Sequence, residues 1–254
     1  MGKVIAVTNQ KGGVAKTTTA VNLGAALALL GKRVLVIDMD PQGNATSGLG
    51  IKADGSGKTV YHVLVGDAAL TDVLQDCPSV GGLIVAPADL TLAAAEVEMV
   101  NLPDRELVLK KALGPVRGGF DYVFIDCPPS LGLLTVNALS AADSVLIPIQ
   151  CEYYALEGLS HLMNAIQLVQ KGLNPSLTIE GALLTMFDGR TNLAIQVVEE
   201  VKRYFKKKVY KTIIPRNVRL SEAPSHGVPV VVYDPKSRGA DMYMELAKEV
   251  MEGV

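Results

Sequence analysis

The sequence predicts an α/β chain, a doubly wound, mostly parallel sheet with helices on both faces. Three observations carry that expectation. Short apolar runs recur, among them Val4-Ile5-Ala6-Val7, Val34-Leu35-Val36-Ile37 and Tyr122-Val123-Phe124-Ile125. They show no polar alternation, so both faces of each strand are expected to be covered. Between the runs lie stretches with apolar residues at helical spacing. The first run passes through a glycine-containing loop into Lys16-Thr17 and an amphipathic helix.

Composition sets the limits. At 254 residues the chain suits one α/β domain spanning 1–254. A hydrophobic content of 49% is ample for a core, and 20% charged residues with a net charge of −2 fit a soluble protein. There is no Trp, so base stacking on exposed aromatics is not expected. Cys77, Cys127 and Cys151 show no C-x-x-C spacing, which argues for reduced core thiols over zinc or iron–sulfur ligands. No basic-then-apolar leader precedes Lys3, and no apolar run approaches ~20 residues. A cytoplasmic protein without a membrane span is expected.

In chain order, 3–8 reads as the first strand and 17–30 as a helix with Ala20, Leu23, Leu27 and Leu30 on one face, ended by Gly31. The strand 34–37 runs into Asp38-Met39-Asp40-Pro41-Gln42-Gly43-Asn44, placing two carboxylates where ligands of doubly wound sheets bind. The segments 59–65, 70–77, 90–100 and 104–113 read as helices, and 83–86 as a strand. The glycine-rich stretch 48–58 is expected to be mobile, and His62 to be a packed or surface residue. The strand 120–126 ends in Asp126-Cys127-Pro128-Pro129-Ser130. Strands follow at 144–149, 179–186, 210–215 and 230–232, and helices from about 150 to 171, at 193–205 and at 237–252.

The chemistry concentrates in Lys11-Gly12-Gly13-Val14-Ala15-Lys16-Thr17-Thr18. Backbone N–H groups at a loop-to-helix junction form an anion cradle, and the helix dipole reinforces it. In this P-loop order Lys16 would reach β- and γ-phosphates, and the Thr17 hydroxyl would ligate Mg²⁺. The generic G-x-x-x-x-G-K-[ST] pattern fails at both glycines, where Gln10 and Ala15 stand. An apolar strand ending in Asp126, in this order after the loop, is the arrangement that holds Mg²⁺ directly or through water.

These residues resemble the deviant Walker A loop, KGGxGK[ST], of the ParA/MinD superfamily. DMDPQGN, IDCPPSLG, QCEYYALEGL and IPRNVRLSEAPSHG extend the likeness along the chain, and it is nearest to ParA-type partition ATPases of the short Soj kind. Ala15 departs from the pattern, which has glycine there, so nucleotide affinity or turnover is where the departure should tell. The resemblance implies an ATP- and Mg²⁺-dependent ATPase, weak alone and stimulated by a partner. By resemblance Lys11 reaches the nucleotide of a second protomer, Asp40 positions or activates the attacking water, and Asp38 supports the site. Thr17, Asp40 and Asp126 form the metal set, and Pro215 and Asn217 flank adenine. Glu152 is a candidate contact across the dimer, with a capped helix start as the equal alternative. The longer plasmid relatives carry a DNA-binding domain before the loop; with ten residues ahead of Lys11, that domain is expected to be absent.

From Lys202 to Arg219 there are eight basic residues and no acidic one, so the remainder of the chain carries −10 against a whole-chain −2. That asymmetry suits a polyanion partner, and a solvated helix face is the alternative. The resemblance favours nonspecific duplex DNA, held by Arg190 and Arg219 with Lys202, Arg203 and Lys206. It implies a homodimer with ATP, a monomer without it, a ParB-type protein partner and association with the nucleoid. A MinD-like membrane-cycling or other cargo-positioning ATPase, a small-molecule ligase, a redox iron protein, and a nucleotide-binding regulator weakened by Ala15 are the rival readings. The acidic tail (Asp241, Glu245, Glu249, Glu252) disfavours anionic membrane.

Overall fold

The computed structural model describes residues 2–53, 57–152 and 159–253. Its sheet contains β1 (Lys3–Val7), β2 (Val34–Asp38), β3 (Gln75–Asp76), β4 (Leu83–Ala86), β5 (Tyr122–Asp126), β6 (Ser144–Gln150) and β7 (Thr178–Thr185). The order is β3-β4-β2-β5-β1-β6-β7. Every pairing is parallel except β3 with β4 at one edge.

The uniformly apolar runs are explained by burial on both faces. Along β1, Val4 and Ala6 face one core while Ile5 and Val7 face the other. Leu35 and Ile37 of β2 join the first core, and Val34 and Val36 the second. The second core is closed by α1 (Lys16–Leu29), α2 (Asn44–Gly48), α10 (Val230–Tyr233) and α11 (Arg238–Glu252). The first is closed by α3 (Val60–Val65), α4 (Leu92–Glu98), α5 (Val108–Leu113), α6 (Leu133–Ala141), α7 (Leu159–Gly172) and α8 (Asn192–Phe205). The short α9 (Val218–Glu222) precedes α10.

Several elements differ from the sequence reading. The valines 230–232, read as a strand, form α10: Pro229 sits at its N-cap, and the Asn22 carboxamide oxygen accepts from the Val230 N–H at 2.6 Å. Pro is at home beside a helix start, and a side-chain acceptor there satisfies an otherwise orphaned donor. Residues 210–215 do not form a regular strand. They run beside β7 through isolated bridges, Ala182 with Val209 and Phe187 with Pro215, while the Lys211 and Thr212 N–H groups between them donate to the Glu249 carboxylate at 2.6 and 3.0 Å. Residues 70–77 divide into a 3₁₀ turn (Leu70–Val73) and β3. The helices read at 90–100 and 104–113 are shorter, with 3₁₀ turns at Met99–Asn101 and Arg105–Leu107. The helix opening read at 150–158 and the centre of the glycine-rich stretch fall largely on 153–158 and 54–56, outside the described residues. His62 is a packing residue: its Nδ1 accepts from the Thr59 N–H at 3.1 Å, capping α3.

Candidate functional site

Because the strands are parallel, the loops after β1, β2, β5, β6 and β7 leave the same edge of the sheet. The loop after β1 is held from three sides. Asn9, buried, donates from its carboxamide to the Pro148 carbonyl of β6 at 2.8 Å and accepts from the Lys11 N–H at 3.1 Å. The Thr185 hydroxyl donates to the Val14 carbonyl at 3.1 Å. Lys16 folds back, its Nζ donating to the Lys11 carbonyl at 3.2 Å.

Gly13 and Ala15 both take left-handed backbone, with φ of 72° and 69°. For Gly13 that conformation is free, whereas for Ala15 it costs ~1 kcal/mol or more. Among the described residues, the N–H groups of Gly13, Val14, Ala15, Lys16, Thr17 and Thr18 donate to no protein acceptor. Such a run at the start of α1 is an anion cradle. A cleft of about 680 Å³ opens over it, lined by Gly12, Gly13, Ala15, Lys16, Thr17 and Thr18, by Asp40 from the loop after β2, and by Pro129 from the loop after β5. Val14 turns its side chain into the core. The Lys11 side chain, partly exposed, makes no hydrogen bond or ion pair among the described residues.

Three aspartates approach the cleft with different roles. Asp38 is fully buried, accepting from the Thr46 N–H (2.8 Å), the Thr46 hydroxyl (2.7 Å) and the Asp40 N–H (3.1 Å). It fastens the loop after β2 to α2. Burial pushes its carboxyl up to about 6 despite those donors. Gly43 is needed in this loop, since it is left-handed and a Cβ there would press on the Ala88 carbonyl. Asp40 stands at the cleft wall and accepts from the Gln42 N–H at 3.0 Å.

Asp126 is buried beneath the cleft, and neither of its oxygens has a hydrogen-bond partner of good geometry. Burial raises its pKa well above the usual carboxylate range, the Asp38 charge adds to that, and the Thr17 hydroxyl opposes it. Burial lowers the Lys16 pKa, while Asp126, Cys127 and Asp40 pull it back up.

An orphaned buried carboxylate beside a hydroxyl is costly alone and suits a hard cation. No cluster of three or more His, Cys, Asp or Glu side chains poised for a metal occurs among the described residues. A cation here would therefore share phosphate and water oxygens with one or two protein ligands, as Mg²⁺ favours. All three cysteines are free and buried. Burial holds the Cys127 thiol protonated, so it fills space beside the site.

A second cavity of about 150 Å³ adjoins the cleft through Ala15, Thr18 and Met186. Its far wall is Ile214, Pro215, Asn217 and Leu220, with Tyr243 at the back. Pro215 and Asn217, 200 residues from the phosphate loop, thus stand next to it. Asn217 caps α9, its Oδ1 accepting from the Arg219 N–H at 2.9 Å. That bond uses one of the oxygen's two lone pairs, so the amide can still both donate to and accept from a purine edge. The Tyr243 hydroxyl meets Thr19 Oγ1 at 3.2 Å, tying α11 to α1 behind this wall.

The basic residues stand outside the main cleft, and of the basic stretch Arg216 lines the smaller cavity. Lys202 and Arg203 lie on the exposed last turn of α8, and Lys206 follows with a φ of 54°. None of these three is ion-paired among the described residues. The arginines are each engaged by carboxylates: Arg190 with Asp188 (2.6 Å), Arg216 with Glu152 (3.2 Å), and Arg219 with Glu222 (2.8 Å) and Asp234 (3.2 Å). Glu152 also accepts from Gln150 at 2.6 Å, so in one protomer it serves Arg216.

Asn9, Thr46, Thr185, Thr19 and Tyr243 were not singled out by the sequence. Asn9 sits in the loop and could have been suspected from its amide. The others are ordinary residues until the fold brings them in.

The fold and this cleft define a P-loop nucleotide-hydrolysing protein. A family model described as an AAA domain matches residues 2–179. The sporulation initiation inhibitor protein Soj of Bacillus subtilis is 65% identical over 250 residues, 98% of each chain. The chromosome partitioning protein ParA of Myxococcus xanthus is 58% identical, covering 99% of this chain and 89% of that one. Among solved structures, a cobyrinic acid a,c-diamide synthase from Mycobacterium smegmatis, with bound ATP analogue and magnesium, superposes with a TM-score of 0.87 at 40% identity, over 99% of this chain and 95% of that one. The chain belongs to the Soj/ParA family of chromosome-partitioning ATPases. It is an ATP hydrolase, with ATP and Mg²⁺ as its cofactors.

Proposed function

We propose that the chain is a single-domain, ATP-gated switch that dimerises, binds duplex DNA without sequence preference and segregates chromosomes or plasmids with a ParB-type partner. The observation that carries the nucleotide half is the row of free N–H groups over an orphaned buried Asp126. Lys16 and the loop N–H groups, from Gly12 to Thr18, hold the phosphates; Lys16 exchanges its contact with the Lys11 carbonyl for them. Thr17 and Asp126 hold the cation, with Asp40 beside them. The cation, when bound, neutralises phosphate charge. Asp40 orients the attacking water. Pro215 and Asn217 bound the adenine. Lys11, uncommitted in one protomer, reaches the nucleotide of the other, so turnover is slow until dimer and partner complete the charge stabilisation.

The DNA half rests on the exposed cations of the α8 end, Lys202, Arg203 and Lys206, together with Arg190 and Arg219. Exposed ion pairs are worth ~0–1 kcal/mol, so phosphates compete readily with the carboxylates that engage the arginines. No helix of the described residues is long and apolar enough to cross a membrane. On this reading the protein works in the cytoplasm, on the nucleoid, which follows from the DNA it would bind.

Cosedimentation with random-sequence duplex DNA, in ATP, ADP or no nucleotide, tests this reading. Binding only with ATP, weakened by salt and by Arg219→Ala, is expected. Equal binding in all three states would remove the gating, and no binding in any would remove the DNA role.

A further inference from the structure

The Val14 carbonyl and the Thr185 side chain, 171 positions apart, are both buried and joined by one hydrogen bond of 3.1 Å. The peptide beginning at that carbonyl carries the Ala15 N–H. A trans peptide points its C=O and N–H in opposite directions. Drawing the Val14 carbonyl down onto β7 therefore turns the Ala15 N–H away from Thr185, toward the open side of the loop. This peptide also has the strongest reason to rotate. Ala15 is left-handed at φ 69° and ψ 33°, with no side-chain cap, and a Cβ-bearing residue resists that conformation. A glycine would adopt it unaided. Thr185 is itself well anchored: it pairs with Gln150 in the sheet, and its carbonyl accepts from the Cys151 N–H at 3.1 Å.

We propose that Thr185 is a positioning residue for ATP binding, holding the 14–15 peptide so that the Ala15 N–H faces the phosphate and making alanine tolerable where the loop needs left-handed backbone. It acts through Val14. The inference rests on the nucleotide reading of the cleft, not on DNA binding or dimerisation, and the unaltered chain's own ATP titration reports on that reading separately. Thr185 also borders the smaller cavity, so a direct contact with nucleotide must be distinguished from positioning.

A double-mutant cycle makes the distinction. ATP and ADP affinities with Mg²⁺ are measured by calorimetry for the unaltered chain, Thr185→Val, Thr185→Ser, Ala15→Gly and Thr185→Val/Ala15→Gly. Thr185→Val is expected to weaken ATP by about tenfold, the scale of one misaimed hydrogen bond to a charged group. Its steady-state KM should rise with kcat little changed. Thr185→Ser keeps the hydroxyl and should restore affinity. With glycine at 15 the Thr185→Val loss should shrink to less than ~3-fold, since the loop then no longer needs the lock. An equal loss in both backgrounds would assign Thr185 a direct contact and overturn the proposal, as would no loss in the native background. Should Thr185→Val fail to fold, Thr185→Ala replaces it in the same cycle with the same outcomes.

Discussion

Ala15 is a costly choice for its conformation. Its left-handed backbone should make Ala15→Gly stabilising by ~1 kcal/mol, offset in part by the greater unfolded-state freedom of glycine. At this chain length the melting midpoint of the nucleotide-free protein should rise by roughly 2–4 °C. An unchanged or lower midpoint would mean that the loop gains something from the methyl group. Asp126 is costly for a different reason. Its raised pKa, and that of Asp38 at about 6, mean that the folded protein binds more protons than the unfolded chain. The stability tied to these groups is complete below the unfolded pKa of 3.8 and is lost as pH rises through the folded values. Asp126→Asn should therefore stabilise the nucleotide-free protein at pH 7.5, by roughly 1–3 kcal/mol, and much less near pH 4.5. It should also abolish the extra stabilisation that Mg²⁺ gives to ATP-bound protein. Urea midpoints at the two pH values decide it; the same shift at both would show that Asp126 does not titrate in this window.

At the scale of elements, the loop after β2 depends on Thr46. Its hydroxyl donates to Asp38 at 2.7 Å and accepts from the Ala88 N–H at 2.9 Å, joining β2, α2 and the end of β4. Thr46→Val keeps the shape, removes one of the three donors to Asp38 and orphans the Ala88 N–H, so it should cost about 2 kcal/mol and lower the midpoint by roughly 4–8 °C. It should also loosen Asp40 and slow turnover, read as a lower kcat at saturating ATP; unchanged stability and kcat would refute this clamp. This contact shows where sequence reading stops. Asp38, Asp40 and Asp126 were visible because they end apolar runs, a local pattern. Thr46 and Thr185 were not, because their partners lie 42 and 171 positions away. The same limit explains α10. Three valines favour a strand by propensity, but Pro229 and the Asn22 acceptor supply a helix start from outside the segment. The strands 34–37, 83–86 and 144–149 were legible because burial on both faces leaves them uninterrupted by polar residues.

At the scale of the molecule, the charge is divided. The basic segment and the acidic remainder predict an association with DNA governed by counterion release. If Lys202 and Arg203 each contact one phosphate, replacing either by Ala should flatten the slope of log affinity against log salt by about 0.9. An unchanged slope would place these residues outside the contact. The sheet order has a different consequence. β1 lies between β5 and β6, strands that follow it by more than a hundred residues in the sequence. On a ribosome adding ~5–20 residues per second, β1 leaves the exit tunnel and waits on the order of ten seconds for either neighbour. During that interval the first strand, apolar from Val4 to Val7, is exposed, and the loop attached to it has nothing to brace it. The centre of the sheet is thus the last part of the early chain to be protected, and the nascent protein should most need a chaperone over β1 and the anion-cradle loop that follows it.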